Sequence, residues 1–142
     1  MTVSERASGL RTVGARRRKA ADREEADMKN LIVGISGASG TAIAAAVLER
    51  LKALPDWRTY LIMTPSAVKT AEIEYAPGAE CLKALADVVC DPADMGHSVA
   101  SGTFRAEGMV IVPCSMKTMA GIACGYSDNL LLRAADVTLK EG

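Results

Sequence analysis

The stretch Asn30-Leu31-Ile32-Val33-Gly34-Ile35-Ser36-Gly37-Ala38-Ser39-Gly40 runs from an apolar segment into closely spaced glycines and hydroxyls, and Thr41 to Leu54 follows with helical periodicity. That order reads as a strand, a tight loop and a helix start. Glycines at 34, 37 and 40 relieve the backbone where a Cβ would restrict it and let the main chain approach a ligand. The following helix turns its unpaired N–H groups into the same loop. An anion, above all a phosphate, suits such a place. The spacing G-x-x-G-x-x-G matches neither the dinucleotide fingerprint G-x-G-x-x-G nor the P-loop, which carries Lys-Ser/Thr after its last glycine. By itself it also fits a tight strand-to-helix turn that binds nothing.

Moving outward, the apolar positions Ile43, Ala44, Val47, Leu48, Leu51 and Leu54 form one helical face, with Glu49, Arg50 and Lys52 opposite and Pro55-Asp56 as the stop. Thr59-Tyr60-Leu61-Ile62-Met63 reads as a second strand, and Thr64-Pro65-Ser66 opens a helix that runs to about Tyr75. Strand, helix, strand, helix implies a parallel sheet, whose ligands sit beyond the carboxyl ends of the strands. The glycine loop and the Thr64 hydroxyl therefore belong to one rim, and Glu74 falls near it. Further on come a short helix over Glu80 to Ala86, a strand at Val88-Val89-Cys90 and an irregular segment from Asp91 to Phe104. Gly108 to Pro113 is an apolar strand of the kind buried on both faces. Cys114-Ser115-Met116-Lys117-Thr118 follows as a second polar rim and opens a helix over Met119 to Cys124. Ser127-Asp128-Asn129 then caps a last helix that carries Arg133 and Lys140.

The 142 residues suit one domain, with 49% apolar residues and balanced charge. No apolar run reaches the roughly 18 to 20 residues of a membrane span, and the early basic cluster lacks an apolar signal-peptide core. A cytoplasmic protein with neither membrane nor nucleic-acid partner is expected. Residues 1–27 hold seven basic and five acidic side chains with little apolar periodicity, and read as a solvated tail before a domain over 28–142. Cys81, Cys90, Cys114 and Cys124 form no C-x-x-C pair, so no metal site is expected, and they read as small buried thiols. Cys114 invites comparison with a nucleophile because it precedes a helix, but a buried thiol is the simpler reading, as a loop residue is for His97.

Four segments in order resemble the flavin prenyltransferase family, the UbiX and phenylacrylic acid decarboxylase type flavoproteins: Gly34 to Gly40, Ser101 to Phe104, Pro113 to Thr118 and Arg133 to Glu141. The resemblance, over Met28 to Glu141, implies a Rossmann-like flavodoxin-type α/β fold of three layers, a dodecameric homo-oligomer and FMN bound between subunits without a metal. It also implies transfer of a dimethylallyl group from dimethylallyl phosphate to reduced FMN, giving the prenylated flavin used by UbiD-type decarboxylases. By position it implies FMN contacts from Gly37, Ala38, Ser39, Thr64, Ser115, Met116, Lys117 and Thr118. Ser39 and Glu74 would handle protons at the flavin, and Lys140 would compensate phosphate charge.

Departures from the family pattern are the missing aromatic in Thr41-Ala42-Ile43, Thr64 for Ser and Pro65 for Lys. The pattern also continues past Lys140-Glu141 with a strand and with Tyr and Arg anchors for the prenyl phosphate. The expectation from this is a fragment or an interrupted reading frame, and the alternative function is an FMN-binding or assembly module without turnover. A dinucleotide-binding fold fits less well, since Met63-Thr64 stands where an acidic residue should meet the ribose.

Overall fold

The computed structural model describes residues 27–142, so all but the last residue of the expected tail lies outside it. Strands β1 (Lys29–Ile35), β2 (Trp57–Met63), β3 (Val88–Cys90) and β4 (Gly108–Ile111) form one sheet in the order β3-β2-β1-β4. All its pairings are parallel, with Val33 opposite Leu61 on one side and Val110 on the other. The helices are α1 (Thr41–Lys52), α2 (Pro65–Glu74), α3 (Gly78–Leu85), α4 (Met116–Ala123) and α5 (Leu130–Glu141), with a 3-10 turn at Ser98–Ala100.

The two-residue alternation of the strands sorts their side chains into two cores. Val33, Ile35, Leu61 and Met63 pack with Ala44, Leu48, Ala67, Ala71 and Leu82 of α1, α2 and α3. Ile32, Ile62 and Cys90 pack with Val99 and with Leu130, Leu131 and Ala134 of α5. A three-layer α/β fold results, as expected. The chain builds outward from β1 to β2 and β3, then returns to place β4 on the other side of β1. That reversal opens a crevice at the carboxyl ends of β1 and β4.

Several local expectations are corrected. The buried stripe of α1 is Thr41, Ala44, Ala45 and Leu48, so Ile43 and Leu54 stand 60% and 46% exposed. Leu48 is fully buried and Leu51 packs against the core, so of the expected face Ile43 turns outward, while Leu54 lies beyond the helix end at Lys52. Strand β4 stops at Ile111 and is half-buried throughout, because among the described residues it pairs only with β1. Helix α4 starts three residues before the expected Met119, at Met116, since Ser115 already caps it. Of the cysteines only Cys90 is buried, whereas Cys81, Cys114 and Cys124 are exposed.

Candidate functional site

Ser36, 1% exposed, joins the two rims. Its hydroxyl donates to the Pro113 carbonyl at 3.0 Å and accepts the Ser115 N–H at 2.6 Å, while its own N–H reaches the same carbonyl at 3.2 Å. Thr64 N–H donates to the Ile35 carbonyl at 3.0 Å, which ties the end of β2 to the same crevice. The three glycines of the opening stretch serve three ends. A Cβ on Gly34 would meet Leu131 Cδ1 and Ile111 Cγ1 at 3.2 Å, and one on Gly37 would run into Ser66, whose carbonyl carbon lies 3.2 Å away. Only Gly40, at φ +116°, needs glycine for its backbone angle.

Three helices begin around this crevice, each with a side-chain cap. Thr64 Oγ1 accepts the Ala67 N–H at 3.1 Å, Ser115 Oγ the Thr118 N–H at 3.3 Å, and Asn129 Oδ1 the Leu132 N–H at 3.0 Å. Between them lies a cleft of about 420 Å³ lined by Gly37, Thr64, Pro65, Ser66, Ser115, Lys117, Thr118, Asn129 and Leu132. The remaining first-turn N–H groups and Lys117 make it a place for negative charge, with hydroxyls to orient it.

The N-terminus of α1 differs, because the chain supplies its anion. Gly40 brings no side-chain cap. Glu74, at the end of α2, reaches across instead: Oε1 accepts from Gly40 N–H at 2.8 Å, Thr41 N–H at 2.7 Å and Thr41 Oγ1 at 2.5 Å, and Oε2 accepts from Ser39 Oγ at 2.7 Å. These bonds favour the ionised form, the Ser39 hydroxyl most and then the Thr41 hydroxyl and the two N–H groups, and hold the carboxyl down at about 2. At the start of α1, where the sequence reading placed an anion, the N–H groups of Gly40 and Thr41 are taken by the Glu74 carboxylate. Glu72, two residues earlier, does the same for α3 by accepting the Ala79 N–H at 2.9 Å.

Of the residues expected at the site, Gly37, Thr64, Ser115, Lys117 and Thr118 line the cleft. Ala38 and Ser39 stand on the loop beside it, with Ser39 turned to Glu74, and Met116 is 73% exposed outside the lining. Lys140 is not brought there. It is exposed on the last turn of α5, about 16 Å along the axis from the Asn129 cap at 1.5 Å per residue. Ser36, Thr41, Ser66 and Asn129 were not singled out as site residues, although the hydroxyls beside the glycines and the Ser-Asp-Asn cap were visible signals. Cys114 lies on the rim, but desolvation raises its thiol, the opposite of what an activated nucleophile needs. His97 caps the 3-10 turn by accepting the Val99 N–H at 3.4 Å. Among the described residues no group of His, Cys, Asp and Glu is arranged to hold a metal, and no helix is long and apolar enough to cross a membrane.

A parallel sheet with helices on both faces and a hydroxyl-lined cleft at its topological switch point is the architecture of a Rossmann-like, flavodoxin-type α/β domain. The chain belongs to the Flavoprotein family, whose model matches residues 19–142. It is 52% identical over 114 residues to the flavin prenyltransferase LpdB of Lactiplantibacillus plantarum, covering 80% of this chain and 61% of that protein. To a probable UbiX-like flavin prenyltransferase of Escherichia coli O157:H7 it is 48% identical over 112 residues, covering 79% of this chain and 57% of that protein. The chain thus spans about three fifths of the length of these relatives. Among solved structures it superposes with a TM-score of 0.78 on a dodecameric FMN-dependent UbiX-like decarboxylase of Escherichia coli O157:H7, at 48% identity over 80% of this chain and 61% of that one. The same TM-score of 0.78 relates it to AnUbiX in complex with FMN and dimethylallyl pyrophosphate, at 42% identity over 80% and 60% of the two chains.

Proposed function

We propose that this chain carries the FMN-binding part of a cytoplasmic flavin prenyltransferase, which transfers the dimethylallyl group of dimethylallyl phosphate to reduced FMN within a homo-oligomer. UbiD-type decarboxylases would use the product. The observation that carries the reading is the convergence of three capped helix N-termini on one polar cleft, in a chain close in sequence to flavin prenyltransferases. Its volume of about 420 Å³ falls within the roughly 300 to 1,000 Å³ of small-molecule sites. The donor set suits a terminal phosphate and a polar ribityl chain. Ser115, Thr118 and Lys117 would hold the phosphate and Thr64 a neighbouring oxygen, while Gly37 and Ala38 bring backbone close to the flavin.

FMN supplies the nucleophilic ring when bound. The chain's own contribution is to place it and to manage protons. Glu74 keeps the Ser39 hydroxyl donating to Oε2, so that a proton taken up at Ser39 Oγ from the ring side would be balanced by transfer of the Ser39 hydroxyl proton to the Glu74 carboxylate. Lys140 lies too far along α5 to serve the cleft of its own chain, so a role for it in charge compensation requires a second copy.

Flavin fluorescence titration tests the binding. Saturable quenching by FMN with no competition from NAD is expected, and tight NAD binding with no response to FMN refutes it. Incubation with reduced FMN and dimethylallyl phosphate, followed by mass analysis of the flavin, tests the transfer, and binding without product would leave a flavin-binding module. Ser39→Ala should impair transfer more than binding, and equal loss of both would make Ser39 a phosphate ligand only.

A further inference from the structure

Thr41 is the first residue of α1 and is 2% exposed. A buried hydroxyl at that position is not needed to start the helix, since Gly40 precedes it and Thr41 makes no cap to its own turn. The hydroxyl is used elsewhere. Thr41 Oγ1 and Thr41 N–H both donate to Oε1 of Glu74, at 2.5 Å and 2.7 Å, and Gly40 N–H adds a third bond at 2.8 Å. An ionised carboxylate only accepts, so the Thr41 hydroxyl proton must point at it. With Oε1 held by three donors on one helix end, the carboxylate plane is set, and Oε2 is left to the single bond from Ser39 Oγ at 2.7 Å. Glu74 is otherwise exposed at the end of α2, where a glutamate side chain turns freely.

We propose that Thr41 is a positioning residue for the Ser39–Glu74 pair, its buried hydroxyl fixing the Oε1 edge of Glu74 so that Oε2 stays aimed at Ser39. The inference rests on the proposed role of Ser39 and Glu74 in proton handling and adds the residue that orients them. Two of the four donors on Glu74 come from Thr41, and one of these is a side chain that substitution can remove without touching the backbone. The charged groups of the helices packed here are Lys69 and Glu72 on α2, with Glu72 already engaged at Ala79, Glu80 and Lys83 on α3, paired with each other at 2.6 Å, and Glu49, Arg50 and Lys52 at the far end of α1. The restraint on Glu74 therefore comes from hydrogen bonds.

The test follows the Glu74 carboxyl carbon by NMR as a function of pH, assigned by its loss in Glu74→Gln, in the full chain and in Thr41→Val, Thr41→Ala and Thr41→Ser. Val keeps the β-branched shape and removes the hydroxyl, Ala serves if Val does not fold, and Ser restores the donor. The midpoint should rise by on the order of one pH unit in the Val or Ala variant and return in Ser. Prenyl transfer should fall about tenfold in the same variants, with the FMN dissociation constant unchanged. A Glu74 midpoint that does not move in Thr41→Val or Thr41→Ala, or that stays raised in Thr41→Ser, overturns the proposal. A moved midpoint with unchanged turnover overturns its bearing on the reaction. If the unmodified chain binds no FMN it is the FMN-binding reading that fails, and if it binds FMN without forming product it is a flavin-binding module; in either case the titration alone decides whether Thr41 positions Glu74.

Discussion

Replacing Ser36 by Ala removes one oxygen that holds two loops, and the cost can be worked from its bonds. Ser36 Oγ is the acceptor of the part-buried Ser115 N–H at 2.6 Å and a donor to the Pro113 carbonyl at 3.0 Å. In Ser36→Ala the carbonyl keeps the Ser36 N–H at 3.2 Å, so it loses only its second bond. The Ser115 N–H loses its acceptor. A stranded donor costs about 1 to 3 kcal/mol and a lost neutral bond about 0.5 to 1.5 kcal/mol before the remaining partner is counted. About 2 to 3 kcal/mol is expected in total, a large share of the roughly 5 to 15 kcal/mol that stabilise a domain. Urea unfolding measures it as a lowered midpoint at unchanged slope, with Ser66→Ala, an exposed hydroxyl on the same rim, as the control held within about 0.5 kcal/mol. Because Ser115 caps α4 and lines the cleft, FMN affinity should fall as well. A Ser36→Ala midpoint indistinguishable from that of the control would refute the claim that this hydroxyl joins the two rims.

Three further outcomes follow from the geometry. Gly37→Ala drives a methyl into Ser66, so the loop must shift, costing about 1 to 3 kcal/mol of stability and weakening FMN binding measured by fluorescence. Leu131→Ala empties a fully buried position beneath Gly34 and should cost about 2 to 5 kcal/mol in urea unfolding. Glu74 is held at about 2 against an ordinary 4.5, so it binds a proton more readily in the unfolded chain. Its contribution to stability is therefore fully present above about 4.5 and is lost as pH falls from there toward 2. In Glu74→Gln, acid unfolding should lose its slope across that window, and an unchanged slope would show that the carboxylate is not restrained in the folded state.

Much of the fold was legible because its signals are local. Asn30 to Ile35 and Tyr60 to Met63 are apolar runs that only a covered sheet can use, and their spacing around a helical repeat forces parallel pairing. Thr64-Pro65 and Ser127-Asp128-Asn129 announced helix starts through the chemistry of capping, and both caps are made. The same reasoning failed where neighbours decide. The buried stripe of α1 takes in Ala45 and leaves out Ile43, and the helical period alone does not choose between adjacent stripes. The cysteines show the same limit. A small apolar side chain can sit anywhere the packing leaves room, and only Cys90 points into a core.

The sequence by itself determined the alternation of strands and helices, the rim on which the polar loops fall, and the resemblance that points to a flavin, since all three rest on residues close together in the chain. Only the tertiary structure decided what meets the start of α1. The N–H groups at the end of the glycine loop read as a place for an anion, and the anion that the structure sets on those of Gly40 and Thr41 is Glu74, 33 residues from Thr41. No local pattern encodes that contact. It exists because α1 and α2 pack side by side on one face of the sheet, which sets the end of one helix against the beginning of the other and leaves the polar cleft to the N-termini of α2, α4 and α5.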